Sequence, residues 1–276
     1  MVKQQPNMTN LADWAVSMLT PWRDVIVAGA CLSGEEIHRF RVMTKRLRAA
    51  WRMAESVDGV VGGEEAREDL RQLARKFGGA RDGVVILELV RQYADKRGLS
   101  LEPEFMPWME AHIRQHFQID VDAGYVDLWS EEAVRRAIEF WSSQREHLEI
   151  KSSFMRGIGR TEERFRRRVK KALKTNREDD WHRCRRWAKY LYFQYLTLAE
   201  LAGEEVSKSI KGLRVFASQL GKRNDLVNLK SVIQAERKGS GFGSVLKDLR
   251  TWVNERDAAL EKSTKDFVVR KFRKLG

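Results

Sequence analysis

Residues 33–53 read SGEEIHRFRVMTKRLRAAWRM, and two offset periodicities run through them. Ile37, Phe40, Thr44, Leu47 and Trp51 recur at i, i+3, i+7, i+10 and i+14, which lays a mostly apolar stripe along one side of an α-helix. Ser33, followed three residues later by Glu36, is a capping-box signature for the start of that helix. His38, Arg41, Lys45, Arg48 and Arg52 repeat the spacing one residue later, hence about 100° around the helix. One face therefore packs against a core, and its neighbour is a ladder of cations.

The rest of the chain extends this pattern. Similar spacing predicts helices over 11–31 (bent or restarted at Pro21), 64–76, 81–96, 104–117, 130–151, 158–173, 180–201, 206–220, 225–238 and 243–272. Glycine-bearing segments at 57–63, 97–103 and 239–243 separate some of them, and no alternating pattern marks a strand. The predicted fold class is all-α. Only 4 of 276 residues are proline and 33% are charged, which suits long helices with polar faces. Hydrophobic residues at 42%, with 9 Trp and 12 Phe, exclude a disordered basic tail.

The net charge is +13, unevenly placed: residues 1–150 hold 20 basic and 24 acidic side chains, residues 151–276 hold 32 and 15. A polyanionic partner is expected, whether nucleic acid, anionic membrane or a phosphate-rich ligand. No apolar run is long enough for a membrane span, and the N-terminal region lacks a secretory pattern. A cytoplasmic protein without membrane contact is expected. Cys31 and Cys184 fit neither a disulfide framework nor a C-x-x-C motif, and both are expected to be buried, free and inert.

The sequence also repeats itself. His38-Arg39-Phe40-Arg41 with Lys45 recurs as His182-Arg183-Cys184-Arg185 with Lys189, and Phe77-Gly78-Gly79-Ala80-Arg81-Asp82 as Leu220-Gly221-Lys222-Arg223-Asn224-Asp225, in the same order and at nearly the same offset. A tandem duplication of a helical unit follows. Gly78 and Gly221 are expected to end helices in the left-handed conformation, with Asp82 and Asp225 capping the next helix or orienting a nearby Arg.

At these residues the chain resembles the CHAD family, the conserved histidine α-helical domain. The segments that carry the resemblance are HRFRVMTKRLRAAWRM (38–53), KFGGARDGVVIL (76–87), GRTEERFRRRVKKAL (159–173), HRCRRWAKYLYF (182–193) and QLGKRNDLVNL (219–229). It implies one CHAD-like domain over 1–276, made of two similar helical bundles, approximately 1–145 and 146–276, related by pseudo-twofold symmetry. It further implies a basic cavity or groove between them that binds inorganic polyphosphate without catalysis or cofactor, and a place at polyphosphate granules. Tyr190 and Tyr192 stand where Arg46 and Arg48 stand in the first half, so the second His-helix should contribute less charge.

The candidate polyphosphate ligands are His38, Arg41, Lys45, Arg48 and Arg52 on the first His-helix and His182, Arg185, Arg186 and Lys189 on the second. Arg160, Arg164, Arg167 and Lys171 form a third ladder just upstream. Arg grips non-bridging oxygens bidentately and Lys supplies adaptable point charge, so such ladders suit a linear run of phosphates. By itself the 159–173 run reads as a solvated helix face; the duplicated ladders favour a ligand site. His38 and His182 fit packing and phosphate contact equally well. Trp51, Trp181 and Trp187 read as packing residues.

Other chemistries find less support. His112, His116 and Asp120 share metal-ligand spacing but lack the glutamate of H-E-x-x-H and read as surface polar residues. Asp120-Val121-Asp122-Ala123-Gly124 begins like a calcium loop, with its Gly one place early and Glu131 twelfth. The glycines at 59, 62, 63, 239, 241 and 243 lack the Gly-Lys-Ser/Thr of a nucleotide loop. A triphosphate-processing enzyme would need a strand barrel and Glu-x-Glu-x-Lys, whereas Glu102-Pro103-Glu104-Phe105-Met106 lacks the Lys. The alternative to polyphosphate is the phosphate backbone of RNA or DNA, although no nucleic-acid-binding signature is present.

Overall fold

The computed structural model describes residues 10–29, 31–97, 103–117, 126–149, 152–203, 208–235 and 241–272. Ten α-helices account for nearly all of them: α1 (Leu11–Val27), α2 (Gly34–Ala54), α3 (Glu64–Lys76), α4 (Gly78–Arg97), α5 (Phe105–His116), α6 (Leu128–Ser143), α7 (Ser152–Thr175), α8 (Glu178–Ala202), α9 (Lys208–Ala235) and α10 (Gly243–Phe272). Among the described residues there is no strand, only an isolated antiparallel bridge between Asn10 and Glu149. Asn10 caps α1 through its side-chain oxygen and donates to the Arg145 carbonyl at 2.8 Å, which fastens the start of α1 to the 3-10 turn (Arg145–His147) that follows α6.

The chain divides into two compact units. The first comprises Met1–Lys76 and Gly124–Ala217, the second Phe77–Ala123 and Ser218–Gly276. These units do not follow the sequence halves at 145/146. The chain passes from the first unit to the second twice, each time beside the repeated Gly…Asp motif, and returns to the first unit once in between.

In the first unit α2 packs against α1, α3, α7 and α8. Its predicted stripe is buried throughout, and the Ser33–Glu36 capping box is formed. Trp51 stacks on Phe140 at 5.5 Å between ring centroids and tilts against Trp141 at 4.9 Å, tying the end of α2 to α6. Gly157 lets α7 lie close to α2: a Cβ there would stand 2.7 Å from Ser56 Oγ and 3.0 Å from the Arg52 carbonyl. In the second unit the core gathers Ile86, Tyr93, Phe105, Met109, Leu229 and Val253. The Tyr93 hydroxyl donates to Asp248 at 2.7 Å, and burial together with that bond pushes its pKa up to about 12.

Several expectations are corrected. The helices expected over 206–220 and 225–238 are one helix, α9, because buried positions continue across Gly221: Leu213, Phe216, Leu220, Arg223, Leu226 and Leu229. Arg223 hides this continuity in the sequence. It is buried as a charge only because Asp257 at 3.0 Å and Glu261 at 3.1 Å receive it. Neither Gly78 nor Gly221 is left-handed, and Asp82 and Asp225 lie inside α4 and α9 rather than at caps. A left-handed residue does end α8, at Gly203, and another, Asn176, follows α7. Likewise α1 runs through Pro21 and stops at Val27, so Cys31 falls in the connection before Ser33 and is exposed; Cys184 is buried, which raises its thiol pKa. The helix expected over 130–151 ends at Ser143.

Candidate functional site

Within the first unit, α2, α3 and α8 surround a cavity of about 430 Å³. From α2 come Arg41, Lys45 and Arg48, which share the cationic side of the helix because the apolar stripe beside them is committed to the core. From α8 come His182, Arg185, Arg186 and Lys189, set on one face by their i, i+3, i+4 and i+7 spacing. The third wall is α3, with Arg71 and Arg75. Thr44, Ala74, Tyr190 and Phe193 fill between the cations, and the Thr44 hydroxyl turns back to the Arg41 carbonyl at 3.1 Å. No carboxylate is among the described residues that line the cavity.

Arg48 reaches across to α8, where its Nη2 donates to Tyr190 Oη at 2.8 Å and its guanidinium lies over the Tyr190 ring. Tyr190, expected only to dilute the charge of α8, thus positions a cation from α2. Arg71 is held from its own helix by Glu68, Nε to Oε2 at 2.6 Å, with a second contact from Nη2. The Arg71 guanidinium in turn holds the Glu68 carboxyl below its ordinary range. Arg46, on the other flank of α2, pairs with Glu200 and lies over Trp14 at 5.1 Å, so it is spent on the fold.

Seven of the thirteen candidate residues meet in this cavity: Arg41, Lys45, Arg48, His182, Arg185, Arg186 and Lys189. His38 is exposed one turn before Arg41. Arg52 lies beside the cavity, 4.6 Å from the Tyr190 ring centre and 4.9 Å from that of Trp187. Arg164 lies over Trp187 from α7 at 5.2 Å; Arg160 is exposed on the same side of α7. Arg167 pairs with Glu163 at 3.4 Å and Lys171 with Asp180 at 3.4 Å.

Sequence reasoning missed Arg71 and Arg75. The signal was there, since Arg71 and Ala74 follow the buried Leu70 and Leu73 by one residue, as the α2 ladder follows its stripe. The glutamates around them make α3 look like a solvated face. Elsewhere, His112 Nε2 meets the Val232 carbonyl at 3.1 Å and His116 Nε2 meets Ser231 Oγ at 3.1 Å, so both partly exposed residues join α5 to α9 inside the second unit. Asp120 and the 120–124 stretch lie outside the described residues. Among the described residues no helix is long and apolar enough to cross a membrane.

Fold and cavity together define an all-α protein with a pocket walled by cations from two His-headed helices and from α3. The model of the CHAD domain matches residues 17–234, and the chain belongs to the CHAD domain family. Its fold is similar to the crystal structure of the CHAD domain from the plant Ricinus communis, with a TM-score of 0.67 at 18% identity over 98% of this chain and 94% of that one. No curated protein matches the chain in sequence.

Proposed function

We propose that the α2/α3/α8 pocket binds inorganic polyphosphate without turning it over. One observation carries this reading: eight Arg and Lys side chains and His182 converge on a single concavity whose described lining includes no carboxylate. Such a cluster repels itself in the empty protein, and a polyanion relieves the repulsion while its condensed counterions are released. Binding is therefore steeply weakened by salt. Among the described residues the lining has no paired carboxylates of the kind with which phosphoryl-transfer sites hold metal ions, which supports binding over catalysis. The family resemblance adds inorganic polyphosphate as the ligand and a cytoplasmic place at its granules. Nucleic acid is less favoured, because the Tyr190 and Trp187 rings near the pocket carry guanidinium groups where bases would stack.

The test is a competition titration. Labelled long-chain polyphosphate is challenged by unlabelled polyphosphate, RNA and DNA at equal phosphate concentration and physiological salt. Polyphosphate is expected to displace the probe far more effectively than either nucleic acid; equal competition overturns the reading. The triple variant Arg41→Glu, Lys45→Glu, Arg48→Glu is expected to abolish binding with helical content intact.

A further inference from the structure

Two settings can be told apart among the cations of the first unit. Arg46, Arg166, Arg167 and Lys171 each have a carboxylate within ion-pair reach. Arg48, Arg52 and Arg164 are held instead by aromatic rings, and among the described residues no carboxylate pairs with them. These three and their rings form one alternating row: Arg48, Tyr190, Arg52, Trp187, Arg164. Trp187 meets Tyr190 edge to face at 5.6 Å between centroids, so the row is continuous. It starts on the pocket wall and ends on α7, where Arg160 stands one turn from Arg164 and is likewise without a carboxylate partner among the described residues.

A guanidinium held over a ring keeps a charge that no carboxylate compensates; Arg48 gives one N–H to Tyr190 Oη, whereas Arg52 and Arg164 are held by ring contact. An arginine so held keeps its full charge while losing much of its rotamer freedom before any ligand arrives. An arginine paired with a carboxylate must first give that partner up. The row is therefore a preorganised anion track, and it leads out of the pocket.

We infer that Arg52, Arg164 and Arg160 form a second segment of the binding site, an exit track that takes the part of a linear phosphate polymer too long for the pocket. This rests on the polyphosphate reading of the pocket. Trp187 is its positioning residue, setting Arg52 from α2 and Arg164 from α7 against one ring. A compact anion that fits the pocket does not reach the track.

The experiment compares tripolyphosphate and long-chain polyphosphate on the full chain at one ionic strength. Arg160→Gln with Arg164→Gln changes only exposed side chains, and it is expected to weaken the long polymer roughly tenfold, through lost charge-assisted contacts, while leaving tripolyphosphate unchanged. Trp187→Leu is expected to act in the same direction. Arg166→Gln with Lys170→Gln, about a third of a turn around α7, removes the same formal charge and is expected to leave both affinities unchanged. The track is overturned if the long polymer is unaffected by the first pair, if both ligands weaken equally, or if the control pair acts as strongly. Failure of the unaltered protein to bind either ligand overturns the pocket reading itself, and the track with it.

Discussion

Arg46 and Arg48 stand two residues apart on one helix and have opposite fates. The first is taken by Glu200 and Trp14, the second crosses to Tyr190 at the pocket. Arg46→Gln is accordingly expected to lower stability by about 1 kcal/mol and leave polyphosphate affinity alone, whereas Arg48→Gln should lower affinity severalfold with little change in stability. Denaturant unfolding beside a binding titration separates the two. Tyr93 offers a titration at the same scale. Its folded pKa of about 12 lies above the ordinary value of about 10. The folded state therefore keeps the phenol proton longer than the unfolded chain. The stability this confers is intact below about pH 10 and is lost as the pH rises to about 12. Tyr93→Phe should flatten the fall in stability over that window, read by unfolding at a series of alkaline pH values.

Among the elements, α2 and α7 approach each other closely at Gly157, beside the site. Gly157→Ala would press a methyl group onto Ser56 Oγ and the Arg52 carbonyl. It is expected to destabilise the chain by about 1–3 kcal/mol, measured as a lower denaturation midpoint. Because Arg52 sits at that close approach, the variant should also weaken long polyphosphate. Elements such as α2 were legible in the sequence because stripe and ladder keep strict helical spacing beside a capping box, and α3 and α10 were delimited correctly for similar reasons. Less legible was α9, where a buried, carboxylate-held Arg223 occupies a core position and Gly221 imitates a stop. The pocket was legible on α2 and α8, where repetition marked it. It was illegible on α3, where acidic side chains match the basic ones in number and Glu68 binds Arg71 three residues on, so that the helix reads as a solvated face.

For the whole molecule, the division into two units concentrates the proposed chemistry in one of them. Polyphosphate should raise the thermal midpoint, by an amount that grows with ligand concentration and shrinks as salt is added. Hydrogen exchange should slow first in α2, α3 and α8 of the first unit. An equal slowing in α5 and α10 would place the ligand elsewhere. Both His-helices fall in the first unit because the chain passes to the second only after each of them, beside the repeated Gly…Asp motif.

The contrast between the two cysteines gives the native protein a practical handle. Cys184 is sealed in the core with a thiol of raised pKa, and Cys31 is open to solvent two residues before the capping serine of α2. A maleimide reagent therefore has one address without mutagenesis. A fluorophore placed there sits at the head of the helix that carries the first cation ladder, and its emission or mobility becomes a direct optical report of what that helix encounters.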